Sequence, residues 1–106
     1  MEQPNSSYLD AFAKGDDAFK KQLLEILRTE LVEDIDLYFE NLNKKDYPKA
    51  KLYVHRIKHK MGMLGLEKSY SLANKYEHGL VEANLEQQEY FESMLPIMTD
   101  YLNSNQ

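Results

Sequence analysis

The stretch Tyr47–Leu66, YPKAKLYVHRIKHKMGMLGL, decides how the rest of the chain is read. Its apolar residues recur at Tyr47, Ala50, Val54, Ile57, Met61 and Leu64, in alternating three- and four-residue steps. At about 100° per residue all six fall on one stripe of an α-helix, centred between Val54 and Ile57. His55 then points roughly 130° away from that centre. His59 and Gly62 share the outward half, with Lys51 and Lys58 along its margins. A helix that buries one face and turns a histidine, flanked by lysines and a glycine, toward solvent is where the chemistry is expected.

Working outward, Asn43–Asp46 reads as a turn, with Asp46 capping this helix and Pro48 tolerated in its first turn. Gly65 is the natural terminator. Gly62, inside the helix, costs on the order of 1 kcal/mol relative to alanine, which predicts close approach of another surface. Upstream, Asp16 or Asp17 caps a long helix over about Ala18 to Leu42. Leu23, Leu27, Leu31 and Tyr38 form its inner stripe, flanked by Leu24, Ile26, Ile35, Leu37 and Leu42. Val32, Ile35 and Phe39 form a second apolar row, either covered by a neighbouring element or exposed for a partner.

Ser7 and Asp10 resemble a capping box that opens a short leading helix through Tyr8, Leu9 and Phe12, ended by Gly15. Downstream, a helix over Glu67 to Ala83 turns Tyr70, Ala73, Tyr76, Leu80 and Ala83 inward. Asn84 with Gln87 opens the last one, where Phe91, Met94, Leu95, Met98, Tyr101 and Leu102 recur with helical spacing. Pro96 predicts a kink or break there. No strand signal or repeat is present. The expectation is an all-α fold: an antiparallel, up-down-up-down four-helix bundle with a short extra N-terminal helix. It forms a single domain over 1–106, with 1–6 and 103–106 as loose tails.

The composition narrows the function. At 106 residues the chain can bury a core without covalent staples, and it has no cysteine for a disulfide or a thiolate metal site. The formal net charge of −5 argues against nucleic-acid binding. No apolar run is long enough to span a membrane, and Met1–Asp10 lacks a signal pattern, which predicts a cytoplasmic domain. Against the acidic whole, Lys44, Lys45, Lys49, Lys51, Arg56, Lys58 and Lys60 crowd one segment. They form either a site for a local anionic target such as a phosphoryl group, or a solvated face.

An exposed imidazole on a rigid helix serves as nucleophile, metal ligand or plain surface. His55 and His59 stand four residues apart, the half-site spacing of zinc helices. Position 56 is arginine rather than glutamate and the neighbourhood is cationic, so no metal site is expected. His78 is read as surface.

The pattern His55-x-x-Lys58 followed by Gly65, on the second long helix of the expected bundle, resembles the histidine-containing phosphotransfer (HPt) domain of multistep phosphorelays. The resemblance runs from Leu9 to about Leu102. It includes the short leading helix, the Gly15-Asp16-Asp17 opening and the Val54-His55 order. It implies a stoichiometric phosphoryl carrier rather than an enzyme, with no autokinase activity. His55 would accept phosphate from the phosphoaspartate of a receiver domain and pass it to another receiver, with Lys58 offsetting the phosphoryl charge. The implied partners are response-regulator receivers, a hybrid sensor histidine kinase or both, the chain being either a free-standing domain or the cytoplasmic part of such a kinase. The chain itself binds no cofactor, the Mg²⁺ being supplied by the receiver, and it is monomeric.

The family usually has a small residue directly after the motif lysine, where this chain has His59. That departure bears on partner choice. The family docks receivers over the surface between the first two long helices. In an antiparallel pair turning at Asn43–Asp46, His55 stands level with Ile35. The expected docking patch is therefore Val32, Ile35 and Phe39, together with Lys51, His59 and Gly62. The alternative is a helical interaction module in which His55 is not phosphorylated.

Overall fold

The computed structural model describes residues 1–104. It is all-helical: five helices and, among the described residues, no strand. They are α1 (Ser7–Ala13), α2 (Asp17–Asn43), α3 (Tyr47–Met63), α4 (Glu67–Leu80) and α5 (Gln88–Ser104). Helix α2 packs on α3, α3 on α4, α4 on α5 and α5 back on α2, so these four close a ring, while α1 lies on α2. The core inside that ring is formed by Leu27, Leu31, Val54, Ile57, Met61, Leu80, Met94 and Met98, with their neighbours.

Local sequence explains most boundaries. Asp16 accepts the Phe19 backbone N–H at 3.0 Å and caps α2; Asp46 does the same for α3 through Lys49 at 3.3 Å. Gly65, with φ +74°, ends α3, and the Leu66 N–H returns to the Met61 carbonyl at 2.9 Å. Four boundaries differ from expectation. The Ser7 capping box is replaced by Asn5, whose side chain accepts the Ser7 N–H, and Ser6 stands at the N-cap. Lys14 takes the left-handed position that ends α1, one residue before Gly15. Helix α4 stops at Leu80, leaving Ala83 exposed in the turn with φ +56°. Asn84 caps a turn through the Glu86 N–H at 2.9 Å, and α5 starts only at Gln88. Pro96 does not break α5, which runs continuously past it to Ser104.

The stretch before α1 is not a loose tail. Glu2 accepts the N–H groups of Lys68 and Ser69 at 2.9 and 2.8 Å, and Asn5 donates its N–H to the Leu64 carbonyl at 2.8 Å. Glu2 thus supplies the acidic cap that Leu66, at the N-cap of α4, cannot. At the other end Asn103 and Ser104 belong to α5, and 105–106 lie outside the described residues.

The buried stripe of α2 is Leu24, Leu27, Leu31, Asp34, Tyr38 and Asn41. Leu27, Leu31 and Tyr38 of the expected inner stripe are buried, while Leu23 and Ile35, on its two edges, are half-buried and Ile26 is exposed. Asp34 is the unexpected member of the stripe. It is 1 % exposed and accepts Arg56 Nε and Lys60 Nζ of α3, each at 2.8 Å, while Glu30 reaches Lys60 at 3.3 Å. A charged residue takes a core position because the facing helix brings two cations to it.

One turn further along the same buried stripe, Tyr38 joins three helices. Its hydroxyl donates to Glu92 Oε2 at 2.7 Å, so the Tyr76 hydroxyl, also at 2.7 Å, donates to Tyr38. Burial is the main cause that pushes the Tyr38 hydroxyl far above its ordinary range and the Tyr76 hydroxyl up to about 12. Both remain neutral donors.

Candidate functional site

The six-residue apolar stripe of α3 behaves as its spacing predicts: Ala50, Val54, Ile57, Met61 and Leu64 are fully buried and Tyr47 packs at the edge of the core. That fixes the outward face. The His55 side chain is 46 % exposed on it.

His55 does not stand alone there. Its Nδ1 lies 3.1 Å from both carboxylate oxygens of Glu77, which comes from α4. Lys58, one turn along α3, is buried beneath. Its ammonium sits 2.9 Å from Glu77 Oε1 and donates to Asn74 Oδ1 at 3.1 Å, with the Tyr70 ring 5.5 Å away. Burial pushes the Glu77 carboxyl up, but hydrogen bonds from Lys58 and His55 outweigh it and hold the group below its ordinary value. An ionised carboxylate only accepts, so the neutral His55 carries its proton on Nδ1 and keeps the lone pair on Nε2. The arrangement is an oriented imidazole, one nitrogen anchored to a carboxylate and the other at the surface, a geometry that suits a nucleophile.

Of the other residues named from the sequence, His59 and Gly62 lie with His55. His59 Nε2 is 3.1 Å from His55 Nε2. The close approach predicted at Gly62 comes from within: a Cβ there would meet the Tyr70 ring at 3.3 Å. Tyr70 therefore lies against α3 at the surface, not in the core. Lys51 stands one turn before His55, with no ion pair among the described residues. His78 is exposed and engages its own helix, through Nδ1 to the Asn74 carbonyl.

The patch on α2 is level with His55 but on another side. Asp34 with Arg56, and Glu30 with Lys60, fix the register, and both place position 35 opposite 55 as expected. They also fix which flank of α2 faces α3. At about 100° per residue, Val32 and Phe39 lie roughly 140–160° from Asp34. Both are exposed, and Ile35 is half-buried, but the structure does not bring them together with His55. The basic segment is also less of an anion site than its sequence suggests. Arg56, Lys58 and Lys60 are all committed to Asp34, Glu30 or Glu77.

Sequence reasoning missed Glu77, Asn74 and Asp34. The signal for the first two was a polar row, Tyr70, Asn74 and Glu77 at i, i+4, i+7, beside the apolar row of α4. For Asp34 it was a lone acid inside an apolar stripe.

A model of the Hpt domain family matches residues 22–101. The chain belongs to the Hpt domain family. Hpt domains are phosphocarrier modules of phosphorelays that interact with receiver domains or kinases. No curated protein and no solved structure matches the chain. Among the described residues of this Hpt domain, no helix is long and apolar enough to cross a membrane. Nor do three or more His, Cys, Asp or Glu side chains gather there as metal ligands.

Proposed function

We propose that this Hpt domain is a phosphorelay intermediary that takes a phosphoryl group onto His55 from a receiver phosphoaspartate and passes it to another receiver aspartate. The observation that carries the reading is the His55–Glu77 pair, which anchors Nδ1 and directs Nε2 to an exposed face. In the transfer, Nε2 attacks the phosphorus, the N–P bond forms as the aspartyl O–P bond breaks, and the electron pair leaves with the carboxylate. The imidazole gains positive charge in this step, and Glu77 stabilises it while holding the ring in line. Lys58 balances Glu77, so that the incoming phosphoryl group does not meet an unpaired anion; this is a more indirect part than direct charge offset. The Mg²⁺ that the reaction uses belongs to the receiver.

The ring of four helices is, in this reading, an antiparallel up-down-up-down bundle. Pairs such as 34 with 56 and 30 with 60 support it between α2 and α3, and 55 with 77 and 58 with 74 between α3 and α4. Receivers dock on the side of α3 that faces α1 and α2. There Tyr8, Phe12, Leu23, Ile26 and Met63 line an apolar hollow, with Tyr8, Phe12 and Ile26 about half exposed. Met63 is eight residues beyond His55, about 12 Å along the helix, which a receiver spans in one contact. The domain acts as a monomer, in the cytoplasm, without autokinase activity.

The test is transfer from an acetyl-phosphate-charged receiver, beside a His55→Gln variant. Acid-labile, base-stable label on the wild type alone is the expected result. No label from the receivers encoded beside it would overturn the reading in favour of an interaction module.

A further inference from the structure

Two imidazoles face each other at the open end of the site. His55 Nε2 and His59 Nε2 are 3.1 Å apart, and the rings meet edge to face with centroids 4.5 Å apart. With its proton on Nδ1 toward Glu77, neutral His55 has only a lone pair at Nε2, so His59 is the donor of this contact. The proton of His59 is therefore on Nε2. Its ring also stands edge-on to Tyr70 of α4, with centroids 6.2 Å apart. Burial comes first among the causes that hold the His59 imidazole below its ordinary pKa; Lys58 and Lys60 act the same way, Glu77 opposes them, and a proton on His55 would push it lower still. Neutral His59 is thus the resident form at pH 7, with one N–H, aimed at the one lone pair that matters.

We infer that His59 is a positioning residue that guards the nucleophile: its Nε2–H occupies the His55 Nε2 lone pair, and an electrophile reaches that nitrogen only after His59 has turned aside. No proton moves from His59 in this exchange; one N–H···N hydrogen bond breaks and the freed lone pair forms the new bond. The turned-out N–H then needs another acceptor. A phosphoryl oxygen or a carbonyl on the partner surface supplies one, and an aliphatic side chain does not. Resting on the proposed function, this makes residue 59 a specificity determinant: receivers that offer an acceptor opposite it are favoured over those that offer an apolar contact.

The test reads the lone pair without any phosphorelay partner. Diethyl pyrocarbonate acylates neutral imidazole nitrogen; the whole domain is labelled, and mass spectrometry of its peptides separates His55 from His78, which lies outside the site and serves as the internal standard. His59→Leu keeps bulk and removes the N–H; His59→Gln keeps bulk and an N–H within reach. The His55-to-His78 rate ratio is expected to rise about two- to tenfold in His59→Leu, the factor of one neutral hydrogen bond, and to stay near wild type in His59→Gln. Equal ratios in the two variants, or no rise in His59→Leu, overturn the guard. The same variants are then charged from a phosphorylated receiver. If none of them nor the wild type takes phosphate while the acylation pattern holds, the phosphorelay reading falls and the guard stands.

Discussion

Glu77 presents both carboxylate oxygens to His55 Nδ1 at the same distance, 3.1 Å, and one of those oxygens also holds Lys58 at 2.9 Å. The acid that orients the imidazole is thus itself positioned by a buried ammonium from the same helix as the histidine. The x-x spacing between His55 and Lys58 has a physical meaning here. Three residues apart, both side chains reach one carboxylate on α4 from one flank of α3.

Removing that carboxylate strands Lys58 in the interior. Glu77→Ala is expected to lower stability by about 3 kcal/mol, the scale for breaking a buried ion pair. The double change Lys58→Met with Glu77→Leu, which leaves no buried charge, should recover most of it. Urea unfolding of the three proteins checks this. A Glu77→Ala protein as stable as wild type would mean that Lys58 reaches water.

Asp34 is the corresponding weak point between α2 and α3. Asp34→Ala leaves Lys60, itself buried, with only the more exposed Glu30, and a loss of about 3 kcal/mol is expected. Arg56→Ala should lose less than half as much, because its side chain is largely in solvent. Equal losses in the two would assign the effect to the Arg56–Asp34 bond rather than to a stranded Lys60.

The α3 helix was legible because its six apolar residues keep strict helical spacing and nothing charged enters the stripe. The α2 helix was legible in length, register and most of its inner stripe. Asp34 was not, because a buried acid reads as surface when only apolar residues are counted. The same blindness hid Glu77: its polar row on α4 reads as a solvated face when only apolar residues are counted, and the ions it satisfies lie on the neighbouring helix. Residues 1–5 were illegible for a related reason. Glu2 acts on Lys68 and Ser69, more than sixty positions away, and local pattern carries no such information.

That long-range cap is testable by itself. Glu2→Ala should lower stability by about 1 kcal/mol, as for loss of an N-cap, and deletion of residues 1–5 by somewhat more, through the Asn5 bond to Leu64. Thermal unfolding distinguishes the cases. A wild-type midpoint for the deletion would show that the segment does not hold α4.

The charge states give stability a pH profile with two acid steps. For His59 the folded pKa is depressed, so its contribution is complete above the unfolded value of 6.5 and is lost as pH falls below it. For Glu77 and Glu2 the folded pKa values are also depressed. Burial opposes the shift in each, and hydrogen bonds decide it. Their contributions are complete above the unfolded value of 4.5 and are lost as pH falls through the folded values. Urea midpoints from pH 8 to 3 should thus decline first below about 6.5 and again below about 4.5. His59→Leu should remove the first step and Glu77→Gln should weaken the second. A profile with one step, unchanged by His59→Leu, would contradict the His59 assignment.

The receiver-docking side can be decided by two phenylalanines on opposite flanks. Phe12 of α1 is 54 % exposed beside Ile26 and Met63, on the flank of α2 that faces α3; Phe39 is 36 % exposed on the other flank, in edge contact with Tyr38. Apolar anchors buried in a contact contribute about 1–2 kcal/mol each, so Phe12→Ala should weaken receiver binding roughly five- to thirtyfold. Phe39→Ala should leave it unchanged, with helicity intact in both. Titration of a labelled receiver measures the two affinities. The reverse pattern, Phe39 sensitive and Phe12 not, would move the docking face to the flank where α2 meets α5 and would require the receiver to reach His55 from across the bundle.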